Sequence, residues 1–180
     1  MRLQPLLLDT SAESRLPRIL GTAEGQAIRQ ILRERQIAVS AITVLERIRG
    51  FSLARERTEP SRWRILDEAR VSYLSAPRTI LPVDGAVSVF SGELMAILPQ
   101  PPSPPKRNHR GQESRAERLA RWRFDIMIAA TALVSGSILI HENAADFDAI
   151  RDAVNTNAAR FPDGNGLVTC RLGDISALLA

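Results

Sequence analysis

Asp9, Glu46, Asp125 and Asp146 each stand against an apolar element, and together they could do metal chemistry. Asp9 ends the run Leu6-Leu7-Leu8. Asp125 opens Ile126-Met127-Ile128-Ala129-Ala130-Thr131-Ala132. Asp146 follows Ile138-Leu139-Ile140-His141, and Glu46 lies among Ile42, Leu45 and Ile48. Converging carboxylates supply the oxygen ligands that a hard cation such as Mg²⁺ prefers. A cation held there activates water and polarises a phosphoryl oxygen, so the set suits phosphodiester hydrolysis.

Each acid also has a simpler role open to it. Asp125 is a candidate helix N-cap, and Glu46 could pair with Arg49 along a solvated face. Asp146 or Asp148 could cap a short turn over 144–150. Asp9 resists such a reading, because a charge ending a buried strand costs free energy unless it is compensated.

Positioning these acids requires alternating strands and helices. Residues 5–9 read as a buried strand ended by the turn chemistry of Asp9-Thr10-Ser11. Ala27, Ile28, Ile31 and Leu32 form an apolar stripe on a helix from about Thr22 to Arg35. Ile37-Ala38-Val39 is a second strand. Ser40 caps a helix over 41–50 that Gly50 closes. Trp63, Leu66 and Tyr73 mark a helix entered at Pro60, Ile80 to Val83 a strand, and Asp84 the cap of a helix through Val87, Phe90, Leu94 and Leu98. Asp125 opens a helix ending at Gly136. Strands follow at 137–141 and 167–170, and Asp174 caps a last helical turn. This alternation predicts an α/β fold with a parallel sheet covered on both faces.

The length of 180 residues fits one domain with a substantial core. No apolar run reaches membrane-spanning length, the N-terminus lacks a signal pattern, and Cys170 is the sole cysteine; these features predict a cytoplasmic protein. The net charge is +4 and the pI about 10.4. The excess is local: between Pro99 and Phe124, seven basic residues face Glu113 and Glu117. The proline run at 99–105 favours extended geometry, so 99–124 reads as a Pro/Arg-rich insertion within the domain. Lys106 is the chain's one lysine, and arginine suits bidentate phosphate contact. Arg115, Arg118, Arg121 and Arg123 are accordingly candidate contacts for RNA or a partner; a solvated helical face is the alternative.

Four blocks, in order, resemble the PIN-domain family and within it the VapC-type toxins of bacterial toxin–antitoxin pairs. They are Leu7-Leu8-Asp9-Thr10-Ser11, Val39-Ser40-Ala41-Ile42-Thr43-Val44-Leu45-Glu46, Phe124-Asp125-Ile126-Met127-Ile128-Ala129-Ala130-Thr131-Ala132, and Leu139-Ile140-His141-Glu142-Asn143-Ala144-Ala145-Asp146-Phe147. The resemblance implies an α/β/α sandwich and a Mg²⁺- or Mn²⁺-dependent endoribonuclease. It further implies a homodimer neutralised by an antitoxin protein. By matching blocks, Asp9, Glu46, Asp125 and Asp146 are the catalytic, metal-binding acids, with Asp9 and Asp125 as the direct ligands. Thr10, His141 and Asn143 are secondary candidates.

Two departures from the family stand out. His141 occupies a position where the family usually has Thr or Ser, and it could contact phosphate or stand at the rim without a catalytic role. The stretch 99–124 is longer and richer in proline than usual, and could shape RNA entry or antitoxin docking. A haloacid-dehalogenase-type phosphatase would need a second Asp where Ser11 stands, and no glycine-rich phosphate loop is present. The remaining alternative is a catalytically inactive PIN scaffold that binds RNA or a protein partner.

Overall fold

A computed structural model describes residues 3–22, 25–108, 111–161 and 166–179. Part of the helix expected from about Thr22 to Arg35 (Ala23, Glu24 and the Ala27 side chain) and Arg110 of the basic segment lie outside the described residues. Five parallel strands form the central sheet: β1 (Leu6–Leu8), β2 (Ile37–Ser40), β3 (Thr79–Leu81), β6 (Ile138–His141) and β7 (Thr169–Arg171), in the order β3-β2-β1-β6-β7. Leu7 stands opposite Ala38 on one side and Leu139 on the other.

Both faces of the sheet are covered, which is why β1 reads as unbroken leucine. Leu7 and Leu139 face a core shared with α5 (Gly85–Ile97), α6 (Arg115–Ser135) and α7 (Ala144–Thr156), where Trp122, Ile126 and Phe147 are fully buried. Leu6, Leu8, Ile138 and Ile140 face the other way, against α1 (Thr10–Ile19), α2 (Gly25–Glu34) and a terminal 3-10 segment, Leu172–Leu179. Removing the Phe147 ring would cost about 3–5 kcal/mol, as is usual for a buried aromatic truncated to alanine.

Several boundaries differ from the expectation. A helix, α1, starts directly after β1, because Asp9 is its N-cap and not merely a turn residue. α3 (Ala41–Glu56) runs through Gly50, where Phe51 and Leu53 continue the half-buried side and no turn geometry intervenes. α4 (Trp63–Ser75) follows a 3-10 turn at Pro60–Arg62. Residues 144–150 are the first half of α7 and not a short turn. The final helical turn is the 3-10 segment.

The largest difference is α6. It begins at Arg115, ten residues before Asp125, behind the N-cap Ser114, whose hydroxyl accepts from the Glu117 N–H while the Glu117 carboxylate accepts from the Ser114 N–H. This capping box satisfies two otherwise orphaned donors. The helix stops at Gly136, which takes the left-handed conformation with φ 63°. Before it, β4 (Arg107–Asn108) pairs antiparallel with β5 (Gly111–Gln112), so the Pro/Arg-rich stretch carries a small ribbon.

From β1 the sheet grows toward β2 and β3, and then on the other side through β6 and β7. The reversal leaves a crevice beyond the carboxyl ends of β1 and β6, the usual ligand position in such sheets. No helix among the described residues is long and apolar enough to cross a membrane.

Candidate active site

Asp9 leaves β1 at this crevice with 3% of its surface exposed. Its N–H donates to the Ile140 carbonyl at 2.9 Å, which ties it to β6. Its Oδ1 accepts from the Ala12 N–H at 2.6 Å. Burial raises the carboxyl pKa from 3.8 to about 7. The backbone donors of Ala12 and Ser11 partly offset this, and the negative charges of Glu46 and Glu142 add to it.

Glu46 reaches the same crevice from α3. The Thr10 hydroxyl donates to its Oε2 at 2.5 Å, so the residue after the first acid orients the second. Burial raises the Glu46 pKa, while Thr10 and the positive charges of Arg49, Lys106 and Arg121 pull it back.

Asp125 stands inside α6, without the free N–H groups of a helix start. Burial holds its pKa well above the ordinary carboxylate value. The negative charges of Asp146, Glu46 and Asp9 raise it further, in that order, against the opposing Arg121. Asp125 therefore feels all three other acids. Asn143 spans two of them: its Nδ2 lies 3.4 Å from Asp125 Oδ2 and 2.5 Å from Asp146 Oδ2.

Asp146, in the first turn of α7, is fully buried. Besides Asn143, it accepts from the Ser103 N–H at 3.2 Å, the Ser103 hydroxyl at 3.0 Å and Arg121 Nη1 at 2.9 Å. Its charge is thus met by donors from the proline-rich loop and from α6.

The fold brings all four predicted acids to one crevice, with Thr10 and Asn143 among them. It also brings residues the sequence reading did not name as site members. Ser103 is one. Glu113 grips Arg121 side-on, with Nε–Oε1 at 3.1 Å and Nη2–Oε2 at 3.2 Å. Glu142 adds negative charge beside Asp9 while paired with Arg15. The spacing Arg121–Asp125, one helical turn, was a readable sign of contact; the Ser103 contact depends on loop closure and was not.

The four arginines divide. Arg115 and Arg123 are exposed. Arg121 turns inward onto acids, and Arg118 donates to the Pro101 and Ser103 carbonyls, the former at 2.7 Å. The expected basic face is therefore split, since these two guanidinium groups fix the loop that covers Asp146.

His141 is buried at the end of β6, its ring centroid 5.0 Å from that of Phe147, with no hydrogen-bond partner for Nδ1 among the described residues. Burial lowers its pKa from 6.5 to about 4, so the ring is neutral near pH 7. The folded pKa is depressed below the unfolded value. Its contribution to stability is complete above pH 6.5 and is lost as pH falls through about 4. Replacing His141 with Leu should remove up to about 3 kcal/mol of acid sensitivity in that window. Urea unfolding of both proteins between pH 7 and pH 4 checks this; parallel pH profiles would refute it.

The donor set fits a hard divalent cation: oxygen ligands only, mutually repelling, with no ion pair to Asp9 among the described residues and Asp125 met by Arg121 only at 3.9 Å. Among the described residues, however, no three acidic, His or Cys side chains form a ready-made cation cage.

No protein-family model and no curated protein matches the sequence. Solved structures do. VapBC-1 from nontypeable Haemophilus influenzae matches with a TM-score of 0.57 at 18% identity, over 93% of this chain and 97% of that one. DNA-bound VapBC from Salmonella typhimurium matches with 0.53 at 19%, over 94% and 99%. FitAB bound to the IR36 DNA fragment matches with 0.52 at 18%, over 93% and 95%. At these identities the likeness establishes architecture: the chain has a PIN-like α/β/α fold in common with chains of these VapBC and FitAB structures.

Proposed function

We propose that this chain is a Mg²⁺- or Mn²⁺-dependent endoribonuclease and the toxin of a toxin–antitoxin pair, acting in the cytoplasm. The observation that carries the reading is the shared contacts of the acids at the carboxyl edge of the sheet: Asn143 and Arg121 each reach both Asp125 and Asp146, and Thr10, next to Asp9, holds Glu46. The fold held in common with VapBC structures supports the toxin assignment and a cognate antitoxin.

Asp9, Asp125 and Glu46 would hold the ion, with Asp146 completing the acid set. When bound, such an ion polarises a phosphoryl oxygen and lowers the pKa of bound water. The chain's own residues prepare the crevice. Thr10 orients Glu46, and Asn143 keeps Asp125 and Asp146 in fixed relation. Exposed Lys106, Arg107, Arg115 and Arg123 supply positive charge on the flanking segment for the RNA backbone. Exposed Ile65, Val71 and Leu74 on α4, with Ile80 on the sheet edge, offer apolar surface to an antitoxin or a second copy.

The reading is tested by incubating the purified chain with a single-stranded RNA and Mg²⁺ or Mn²⁺, with and without a chelator. Cleavage only in the presence of metal is expected. One alternative has support of its own: the saturated Asp146 and the open cage suit an inactive scaffold. RNA binding without cleavage at any metal concentration would decide for that alternative.

A further inference from the structure

Arg121 is an unusual neighbour for a set of metal-binding acids. Its Nη1 lies 2.9 Å from Asp146 Oδ2 and 3.9 Å from Asp125 Oδ2. It does not hang there loosely. Glu113 grips its other edge through both Nε and Nη2, and a planar guanidinium held on both edges has one orientation. It also keeps its charge at any working pH.

The consequence follows from counting donors and acceptors. Asp146 accepts from four donors: two on Ser103, one on Asn143 and one on Arg121. Two carboxylate oxygens offer about four lone-pair sites in all. Three of the four donors fall on Oδ2, the oxygen that shares Arg121 and Asn143 with Asp125, and the Ser103 N–H takes Oδ1, so the oxygen on the Asp125 side has nothing left for a metal. Two-metal phosphodiesterase sites set their cations about 3.5–4 Å apart, bridged by carboxylates. In this chain a permanent cation already stands between two of the acids.

Resting on the metal-dependent reading above, we propose that Arg121 is the resident cation of this cluster. It occupies the place between Asp125 and Asp146 that a second metal ion would take, so the site accepts one divalent ion, on the side of Asp9 and Glu46. Asp146 is then a positioning residue that anchors Arg121, and not a ligand.

The test is Mn²⁺ binding to the purified chain, measured by isothermal titration and by electron paramagnetic resonance of free Mn²⁺. One Mn²⁺ per wild-type chain is expected. Asp146→Asn should bind one ion with affinity reduced by about 10–100-fold, as for a residue behind the ligands, whereas Asp125→Asn should lose more than about 100-fold. Arg121→Gln should bind a second Mn²⁺, and Arg121→Lys, which keeps the charge, should bind one. A merely structural arginine would not raise the stoichiometry on removal. Should Arg121→Gln fail to fold, the wild-type and Asp146→Asn titrations still decide. Two ions per wild-type chain would overturn the proposal while leaving the nuclease reading intact. So would an Asp146→Asn loss as large as that of Asp125→Asn, or an Arg121→Gln chain that folds and binds one ion or none. No Mn²⁺ binding by the wild type would instead remove the metal-dependent reading itself, and this inference with it.

Discussion

Asp125→Asn is expected to lower single-turnover RNA cleavage by at least about 100-fold at saturating Mg²⁺, comparable to removing one key electrostatic group from an active site. Of the four acids, Asp125 is the one whose ionisation all three others oppose. It is also the one set inside a long helix whose position is fixed by Trp122, Ile126 and Ala129 in the core. Asparagine keeps the shape and one oxygen but removes the charge that attracts a cation. The fold should not suffer. Asp125 sits among negative charges in a buried place, so neutralising it relieves repulsion in the metal-free chain. Melting in chelator should therefore be unchanged or shifted upward, while cleavage falls. Undiminished cleavage, or a variant that fails to fold, would contradict the assignment.

The acids were legible because each stands where a charge needs a reason. Asp9 ends three leucines, and no surface role explains a carboxylate there. The alternation of apolar runs with capped helices gave the parallel sheet, since buried strands and amphipathic helices have different periods. What failed was local and has physical causes. Asp125 reads as a helix start because apolar residues follow it and arginines precede it. Yet arginine is a good helix former, and Ser114-x-x-Glu117 is a capping box that places the start ten residues earlier. Asp9 reads as a turn because its capping role depends on the Ala12 N–H it meets in three dimensions. Gly50 reads as a stop, but a glycine inside a helix costs only about 1 kcal/mol, and the packing of Phe51 against Tyr73 continues the helix past it. The contacts of Ser103 and Arg118 come from a proline-rich loop folding back on α6, a closure no periodicity announces.

Asp9→Asn should make the metal-free protein more stable at pH 8, by about 1–4 kcal/mol, and leave it nearly unchanged below pH 4. The upper figure corresponds to a carboxyl raised from 3.8 to about 7, mainly by burial. The sign follows from proton counting. Between those two values the folded chain keeps a proton on Asp9 that the unfolded chain has released. The resulting stability is complete below pH 3.8, declines as pH rises through about 7, and is absent above. Wild type in chelator thus carries at pH 8 the full burden of an ionised, buried carboxylate facing Glu46 and Glu142. Asparagine has no charge to bury and still offers an oxygen to the Ala12 N–H, so the cap of α1 survives. For a chain of 180 residues, each kcal/mol shifts the melting temperature by about 2–4 °C, so the gain is measurable by scanning calorimetry. Added Mg²⁺ should reverse the order. The wild type would gain stability from an ion that binds only the folded state, and the variant would not. A gain that is the same at pH 4 and pH 8, or one that persists in saturating Mg²⁺, would mean that Asp9 is not the charge this crevice keeps for a cation.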